Sequence, residues 1–302
     1  MSGQLSGLVI INKPEGMTSH DVVGKIRRLF STRRVGHTGT LDPMATGVLV
    51  ILIGRAAKAA EYLSNDEKGY IATLRLGEVY DTEDITGTLI SSTDALPDEQ
   101  AVYDAIKSFQ GEIMQIPPMY SALKVDGKKL CDLARKGIEI ERNARPIIIH
   151  NIEATPKALP RDYTLNVKCS AGTYIRTLCA DIGSSLRCGG AMASLCRTLA
   201  GGFTIEEAHT LESLEALTPD ERISLLMPTE SLFYSLEAIK LPEFYERLSR
   251  NGCEIYLKKI NASLALGQKI RLCSQSGNFY ALGEVRDFDG GLAIKAIKLF
   301  EL

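Results

Sequence analysis

The 302-residue chain has no run of 18 apolar residues. Its longest apolar stretch, Val48-Leu49-Val50-Ile51-Leu52-Ile53, is strand-length, so no membrane-spanning helix is expected. The opening Met1-Ser2-Gly3-Gln4-Leu5-Ser6 lacks a basic segment followed by a long apolar one, and the expectation is an unprocessed, cytoplasmic chain. Seven cysteines, at 131, 169, 179, 188, 196, 253 and 273, include no C-x-x-C pair. They read as reduced thiols, mostly buried as small apolar side chains. The four histidines (20, 37, 150, 209) form no H-x-x-x-H pair and have no cysteine at finger spacing, which speaks against a zinc site. A phosphate loop of the G-x-x-x-x-G-K-[ST] kind is missing too, because Gly24-Lys25-Ile26 lacks the hydroxyl and the upstream glycine. No sign of charge is in excess: the formal net charge is −2, so there is no bulk cationic signal for nucleic acid.

What is present is ordinary in amount and uneven in placement. An apolar fraction of 45% and a charged fraction of 24% describe a globular chain long enough for a sizeable core. That excludes a disordered tail, a collagen-like fibre or a staple-dependent mini-protein. Residues 20–60 carry seven Lys/Arg against two acids, 61–118 three against twelve, and 119–150 seven against four. A chain neutral overall can thus present a basic face, as an RNA-binding enzyme needs. Solvated surface charge is the competing explanation.

Gly7 to Pro14 reads as a short strand ended by proline. Thr18 or Ser19 can cap a helix whose Val22, Val23, Ile26, Leu29 and Phe30 share a face. A Gly/Thr-rich loop from Gly36 to Gly47 leads into the apolar run as a buried strand, and a helix is expected over 56–63. Tyr70 to Leu76 is a strand, Glu78 to Gly87 an acidic loop, Pro97 to Phe109 a helix, and Lys128 to Lys136 a short helix stopped by Gly137. Ile147-Ile148-Ile149 and Tyr163 to Cys169 are strands. Thr173 to Leu186 is a helix with Arg176 off its core-facing stripe. The acidic, polar, helical stretch 203–237 leads out to short strands near 269–273, 279–283 and 292–299, a small β-rich C-terminal domain.

The chemistry concentrates in Gly36-His37-Thr38-Gly39-Thr40-Leu41-Asp42-Pro43-Met44-Ala45-Thr46-Gly47. Its three glycines permit unusual backbone angles and close approach of a ligand, and Pro43 biases Asp42 toward an extended conformation. An aspartate on such a loop, at the mouth of a sheet, can be a nucleophile or a general base; a turn-forming Asp-Pro is the plain alternative. Arg176, in Gly172-Thr173-Tyr174-Ile175-Arg176, can hold that carboxylate ionised and oriented by a two-pronged contact. Tyr70 and Tyr174 can stack on a base or serve as core packing.

Four motifs in order carry a resemblance over roughly residues 7–200: Ile11-Asn12-Lys13-Pro14-Glu15-Gly16, the Gly36–Gly47 loop, Gln115-Ile116-Pro117-Pro118-Met119-Tyr120-Ser121-Ala122-Leu123-Lys124, and Gly172-Thr173-Tyr174-Ile175-Arg176. Together they resemble the TruB family of bacterial tRNA pseudouridine synthases, which act on uridine 55 in the T arm. The resemblance implies an α+β pseudouridine synthase fold with an extended, mainly antiparallel sheet in a catalytic domain over 1–237, and a small PUA-like RNA-binding β domain over 238–302. It implies Asp42 as catalytic aspartate, Arg176 as its partner and Tyr70 as the tyrosine stacking on the target base. His37 would fill the gap left by the flipped uridine, Tyr174 would lie beside the substrate, Leu195 would line the uracil pocket, and Lys13 would support the active-site loop. Thr40, Ala171 and Cys196 stand where many members carry alanine, lysine and arginine; these departures touch RNA contact or packing more than chemistry.

Such a reaction is an isomerisation and calls for no cofactor and no metal. The expected partner is the T-arm stem-loop of tRNA, with no membrane and no protein partner required. Two other classes compete: a non-catalytic RNA-binding or RNA-folding module, and a nucleoside hydrolase or glycosidase. The second normally shows another carboxylate for acid–base work, and none stands out near Asp42 in the sequence.

Overall fold

The computed structural model describes residues 5–63, 67–121, 123–125 and 127–301. Residues 1–4, on which most of the N-terminal reading rests, and Ala122 of the central motif lie outside the described residues.

The strand Gly7–Lys13 pairs antiparallel with Thr46–Ile53, from Gly7 opposite Ile53 to Lys13 opposite Gly47. Both are almost wholly buried, as unbroken apolar runs are when both sheet faces are covered. Leu8, Ile10, Val48, Val50 and Leu52 point into one cluster, and Val9, Ile11, Leu49, Ile51 and Ile53 into another. The second cluster is closed by the helix Ser19–Leu29 through Val22, Val23 and Ile26. Thr18 starts that helix with a capping box in which Asp21 answers the cap backbone, an arrangement that stabilises a helix end by about 1 kcal/mol.

Nine strands form the main sheet. Its path runs Gly7–Lys13, Thr46–Ile53, Gly190–Ala200, Lys68–Leu76, Asp162–Cys169, Arg145–Pro156 and Gly111–Gln115, with Val35–His37 beside Thr46–Ile53 and Phe203–Thr204 beside Gly190–Ala200. All pairings are antiparallel except the short parallel contact of Gly190–Ala200 with Thr46–Ile53, where Cys196 faces Thr46 and Arg197 faces Gly47. Gly47 is required there: its φ is +100°, and a Cβ would stand 2.2 Å from the Arg197 carbonyl oxygen. The helix Ile175–Ser185 covers the other half of the sheet through Ile175, Leu178, Cys179 and Ile182, packed with Ala72, Leu74, Leu165 and Val167.

A second sheet begins at Ala238. Its order is Ala238–Lys240, Lys269–Cys273, Phe279–Phe288, Gly291–Leu299 and Ile255–Tyr256, and it closes its own core around Leu241, Ile270, Leu272, Tyr280 and Ile294. Phe233, Phe279 and Phe300 gather with ring centroids 5.5–5.9 Å apart and join the cluster that contains Leu8 and Val48, so apolar contact continues from one sheet to the other. The mixed α/β class, the mainly antiparallel sheet and the β-rich C-terminal unit match the sequence expectation.

Several local expectations are corrected. The stretch at 56–63 is a 3-10 helix, Gly54–Tyr62. The acidic loop contains the strand Glu78–Tyr80, paired with Leu89–Ser92. The short helix near 128–136 is only Leu130–Ala134, preceded by the strand Lys128–Lys129. Gly190–Ala200, central to the sheet, has no sequence forecast because its register against Lys68–Leu76 shifts at Met192/Ser194 and again at Arg197/Leu199. Two bulges break the period-2 alternation that would have announced it. Cys169, Cys179, Cys188 and Cys273 are buried and all seven thiols are unpaired. No described helix is long and apolar enough to cross a membrane.

Candidate active site

The loop between Val35–His37 and Thr46–Ile53 is fastened at several points. Lys13, fully buried at the end of the first strand, donates from Nζ to the carbonyls of Pro14 (2.8 Å), Met17 (2.6 Å) and Pro43 (3.2 Å). The three hydrogens of one ammonium thus meet three carbonyls. Burial lowers the Lys13 pKa to about 8, with Asp42 the strongest influence in the opposite direction. Ser19 Oγ accepts from the Leu41 amide at 2.9 Å, and the Gly16 amide donates to the Pro43 carbonyl at 2.8 Å. The rigid sheet and helix therefore set the position of Asp42, between Leu41 and Pro43.

Asp42 opens onto a cleft of about 400 Å³ whose lining includes Tyr70, Tyr174, Arg176, Leu195 and Arg197. The Nε of Arg176 lies 3.0 Å from Asp42 Oδ2; the arginine side chain is 6% exposed and the aspartate 36%. Two expectations change here. Arg176 sits at the start of the Ile175–Ser185 helix but is buried, not off the core. Its grip on Asp42 has one prong, because its other nitrogens are engaged elsewhere. Nη1 donates to the Thr82 carbonyl at 3.1 Å, and Nη2 to the Tyr120 carbonyl at 2.7 Å. Asp84 Oδ2 stands 3.8 Å from Nη1. Asp84 is buried and itself accepts from the Thr82 hydroxyl and the Thr86 amide. It is a second carboxylate near Asp42, which sequence reasoning missed because Asp84 lies in what read as a solvated acidic loop.

Burial pushes the Asp42 carboxyl above its ordinary pKa; Arg176 opposes that shift, and Asp84 adds to it. The arginine tempers the cost of a buried charge without reversing it. A carboxylate made more basic in this way is a stronger base and nucleophile once ionised.

The other expected residues divide into those in the cleft and those behind it. Tyr70, on Lys68–Leu76, is buried, and burial raises its pKa while Arg197 opposes the rise. Tyr174 caps the Ile175–Ser185 helix, and the Gln115 amide holds its backbone from both sides: the Tyr174 N–H donates to Oε1 at 2.8 Å, and Nε2 donates to its carbonyl at 3.0 Å. Leu195 adds an apolar wall. Lys13 supports the loop from behind. His37 is not among the lining residues; it immediately precedes Thr38 and Gly39, which are. Its ring meets His20 edge-on at 5.7 Å, its Nδ1 is buried without a hydrogen-bond partner among the described residues, and burial, His20 and Arg197 lower its pKa.

Gln115, the first residue of a quoted motif, and Arg197, next to Cys196, are the other side chains that sequence reasoning left without a role. Arg197, 3% exposed, donates from Nε to the Val48 carbonyl (2.7 Å) and from Nη2 to the Gly39 carbonyl (3.1 Å). The available signal was a charged residue in an otherwise apolar strand, which calls for partners.

Comparison with known proteins follows the same outline. The sequence profile described as "TruB family pseudouridylate synthase (N terminal domain)" matches residues 27–175, and "tRNA pseudouridylate synthase B C-terminal domain" matches 176–234. A protein named tRNA pseudouridine synthase B from Clostridium kluyveri is 41% identical over 98% of this chain and 100% of its own length. Another of that name from Heliobacterium modesticaldum is 46% identical over 84% of this chain and 83% of its own. Among solved structures, a chain of a Cbf5-Nop10-Gar1 complex superposes with a TM-score of 0.75 at 25% identity, covering 99% of this chain and 85% of that one.

Proposed function

The chain belongs to the TruB family of pseudouridylate synthases, and from that premise we propose that it isomerises uridine to pseudouridine at position 55 in the T arm of tRNA, on a nucleotide flipped out of its stack. The observation that carries this reading is the Asp42–Arg176 contact of 3.0 Å at a cleft bounded by Tyr70, Tyr174 and Leu195.

In the proposed reaction the N1–C1′ bond breaks, the uracil turns, a C5–C1′ bond forms, C5 loses its proton and N1 gains one. Nothing is oxidised and nothing is hydrolysed overall, so the balance calls for no cofactor. Asp42 assists departure of the base, by attack at C1′ or by elimination across the sugar. Arg176 orients it through Nε. Tyr70 holds the ring by stacking while it turns, and Leu195 and Tyr174 keep the detached base from leaving. His37 fills the vacated space in the RNA, offsetting part of an extrusion cost of a few kcal/mol. Lys13 acts on the loop, not on the substrate.

Phosphate contacts have a candidate surface. Arg33, Arg34, Arg55 and Lys58 border an open hollow of about 550 Å³ beside the Val35–His37 strand. Lys25, on the helix Ser19–Leu29, is turned toward Glu215 at 3.3 Å, so Arg33 and Arg34, at the hollow, are better phosphate ligands than Lys25. We assign 1–237 as the catalytic domain and 238–302 as a PUA-like RNA-binding domain of a cytoplasmic enzyme that needs no protein partner.

Purified protein incubated with unmodified tRNA and no additives tests the reading. Pseudouridine without free uracil supports the synthase; free uracil supports a hydrolase; bound but unchanged RNA supports a binding module.

A further inference from the structure

Arg197 is a buried cation without a carboxylate partner among the described residues, in a cleft that already holds Arg176. Burial lowers its pKa, and the neighbouring Tyr70 opposes that shift. The two residues face each other directly across the Gly190–Ala200 and Lys68–Leu76 strands. Two of its donors are taken by main-chain oxygens: Nε by Val48, next to Gly47 in the strand that leaves the Asp42 loop, and Nη2 by Gly39 within that loop. A Cβ on Gly39 would stand 3.5 Å from Nη1, so the loop lies directly on the guanidinium. One rigid fork thus holds the loop that bears the aspartate, opposite the tyrosine assigned to the base.

The direction of these contacts has a chemical consequence. A guanidinium only donates. Toward Arg197 the Tyr70 oxygen can only accept, and both residues line the cleft in which the base is placed. We infer that Arg197 is a positioning residue, which fixes the Asp42 loop against Tyr70 and turns the Tyr70 hydroxyl hydrogen toward the uracil. The inference deepens the function proposed above and rests on it. It explains why a charge stands where an apolar side chain would pack at lower desolvation cost, and why lysine is a poor substitute, since a point ammonium does not reproduce the planar fork whose Nε and Nη2 meet Val48 and Gly39 separately.

The test is a double-mutant cycle on the full chain, with Arg197→Lys and Tyr70→Phe made singly and together. Single-turnover rates at saturating enzyme are followed for hours, so that slow variants stay measurable, and tRNA affinity is measured alongside. Arg197→Lys is expected to slow pseudouridine formation about tenfold or more while the tRNA Kd stays within about twofold. In the Tyr70→Phe background the same change is expected to cost at least about threefold less than in the wild type, the remainder being the loop contacts to Val48 and Gly39. Equal fold-losses in both backgrounds, or a defect confined to affinity, overturn the inference. If Arg197→Lys does not fold, Arg197→Gln takes its place in the cycle with the same criteria. Wild-type protein in the same assay separates the two levels: no pseudouridine from wild type removes the functional reading, whereas an active wild type with an additive cycle removes only the role of Arg197.

Discussion

At the scale of single residues, the site is a set of charges whose burial is tolerated because each is met by fitted partners. Lys13 is the clearest case. While protonated it satisfies three carbonyls, one of them Pro43 beside Asp42. Loss of one proton leaves two donors and turns a lone pair toward a carbonyl oxygen. Its lowered pKa of about 8 puts that loss just above neutrality. The single-turnover rate is therefore expected to fall on the alkaline side with a midpoint of about 8, and Lys13→Arg, which cannot deprotonate there, should move that limb upward even if its overall rate is lower. A pH–rate profile that is flat through this range, or a limb unmoved by the substitution, contradicts the role. The sign for stability is opposite: the folded state disfavours the charged amine, so this group's contribution to stability rises as pH climbs from the folded to the unfolded value. Arg176 differs in spreading its nitrogens over Asp42, Thr82, Tyr120 and Asp84. Arg176→Lys cannot reach all of them, and turnover should drop by about 100-fold with tRNA affinity within about threefold. Rapid-quench rates beside equilibrium binding give the comparison, and a loss confined to binding counts against the pairing.

At the scale of elements, the cleft exists because strands of distant sequence converge on one loop. Much of this was legible. The apolar run 48–53, the capped helix after Thr18 and the strand around Tyr70 follow from periodicity and capping alone, and the Gly/Asp/Pro loop stood out by composition. What escaped was structure whose signal is broken or non-local. Gly190–Ala200 carries two bulges, so its alternation fails although it is the strand that brings Leu195 and Arg197 to the cleft. Asp84 looked like surface charge until the fold brought Arg176 over it. Gln115, at the end of an edge strand, gave no sign that its amide would bracket the backbone of Tyr174. Gln115→Met leaves the half-buried Tyr174 N–H without its partner, while the Tyr174 carbonyl keeps the Leu178 amide at 3.0 Å. Unfolding in urea should register a loss of about 1–3 kcal/mol, with the rate falling as the Tyr174–Arg176 segment loosens. A change below about 0.5 kcal/mol would mean the bracket is not structural.

At the scale of the whole molecule, a net charge of −2 coexists with a local excess of cations. The acids lie mainly in 61–118 and 203–237, while Arg33, Arg34, Arg55 and Lys58 surround one hollow next to the strand that carries His37. Affinity for tRNA is expected to fall steeply with salt in spite of the overall charge, and replacing one of these four by glutamine should reduce the log–log slope by about 0.7–0.9. Filter-binding or anisotropy titrations across a salt series measure this. A slope unchanged by all four substitutions would mean the RNA backbone runs elsewhere. The continuous apolar contact through Phe233, Phe279 and Phe300 ties the C-terminal sheet to the main one.

The central claim is that the Asp42 carboxylate acts on the sugar of an extruded uridine. Nucleotide-resolved mapping of pseudouridine in unmodified tRNA, after incubation with wild type or with Asp42→Asn at matched saturation of the RNA, addresses it most directly. The account predicts a single modified nucleotide at position 55 with wild type and none above background with Asp42→Asn, while the variant still binds the RNA. Conversion at that nucleotide by Asp42→Asn at the wild-type rate contradicts it.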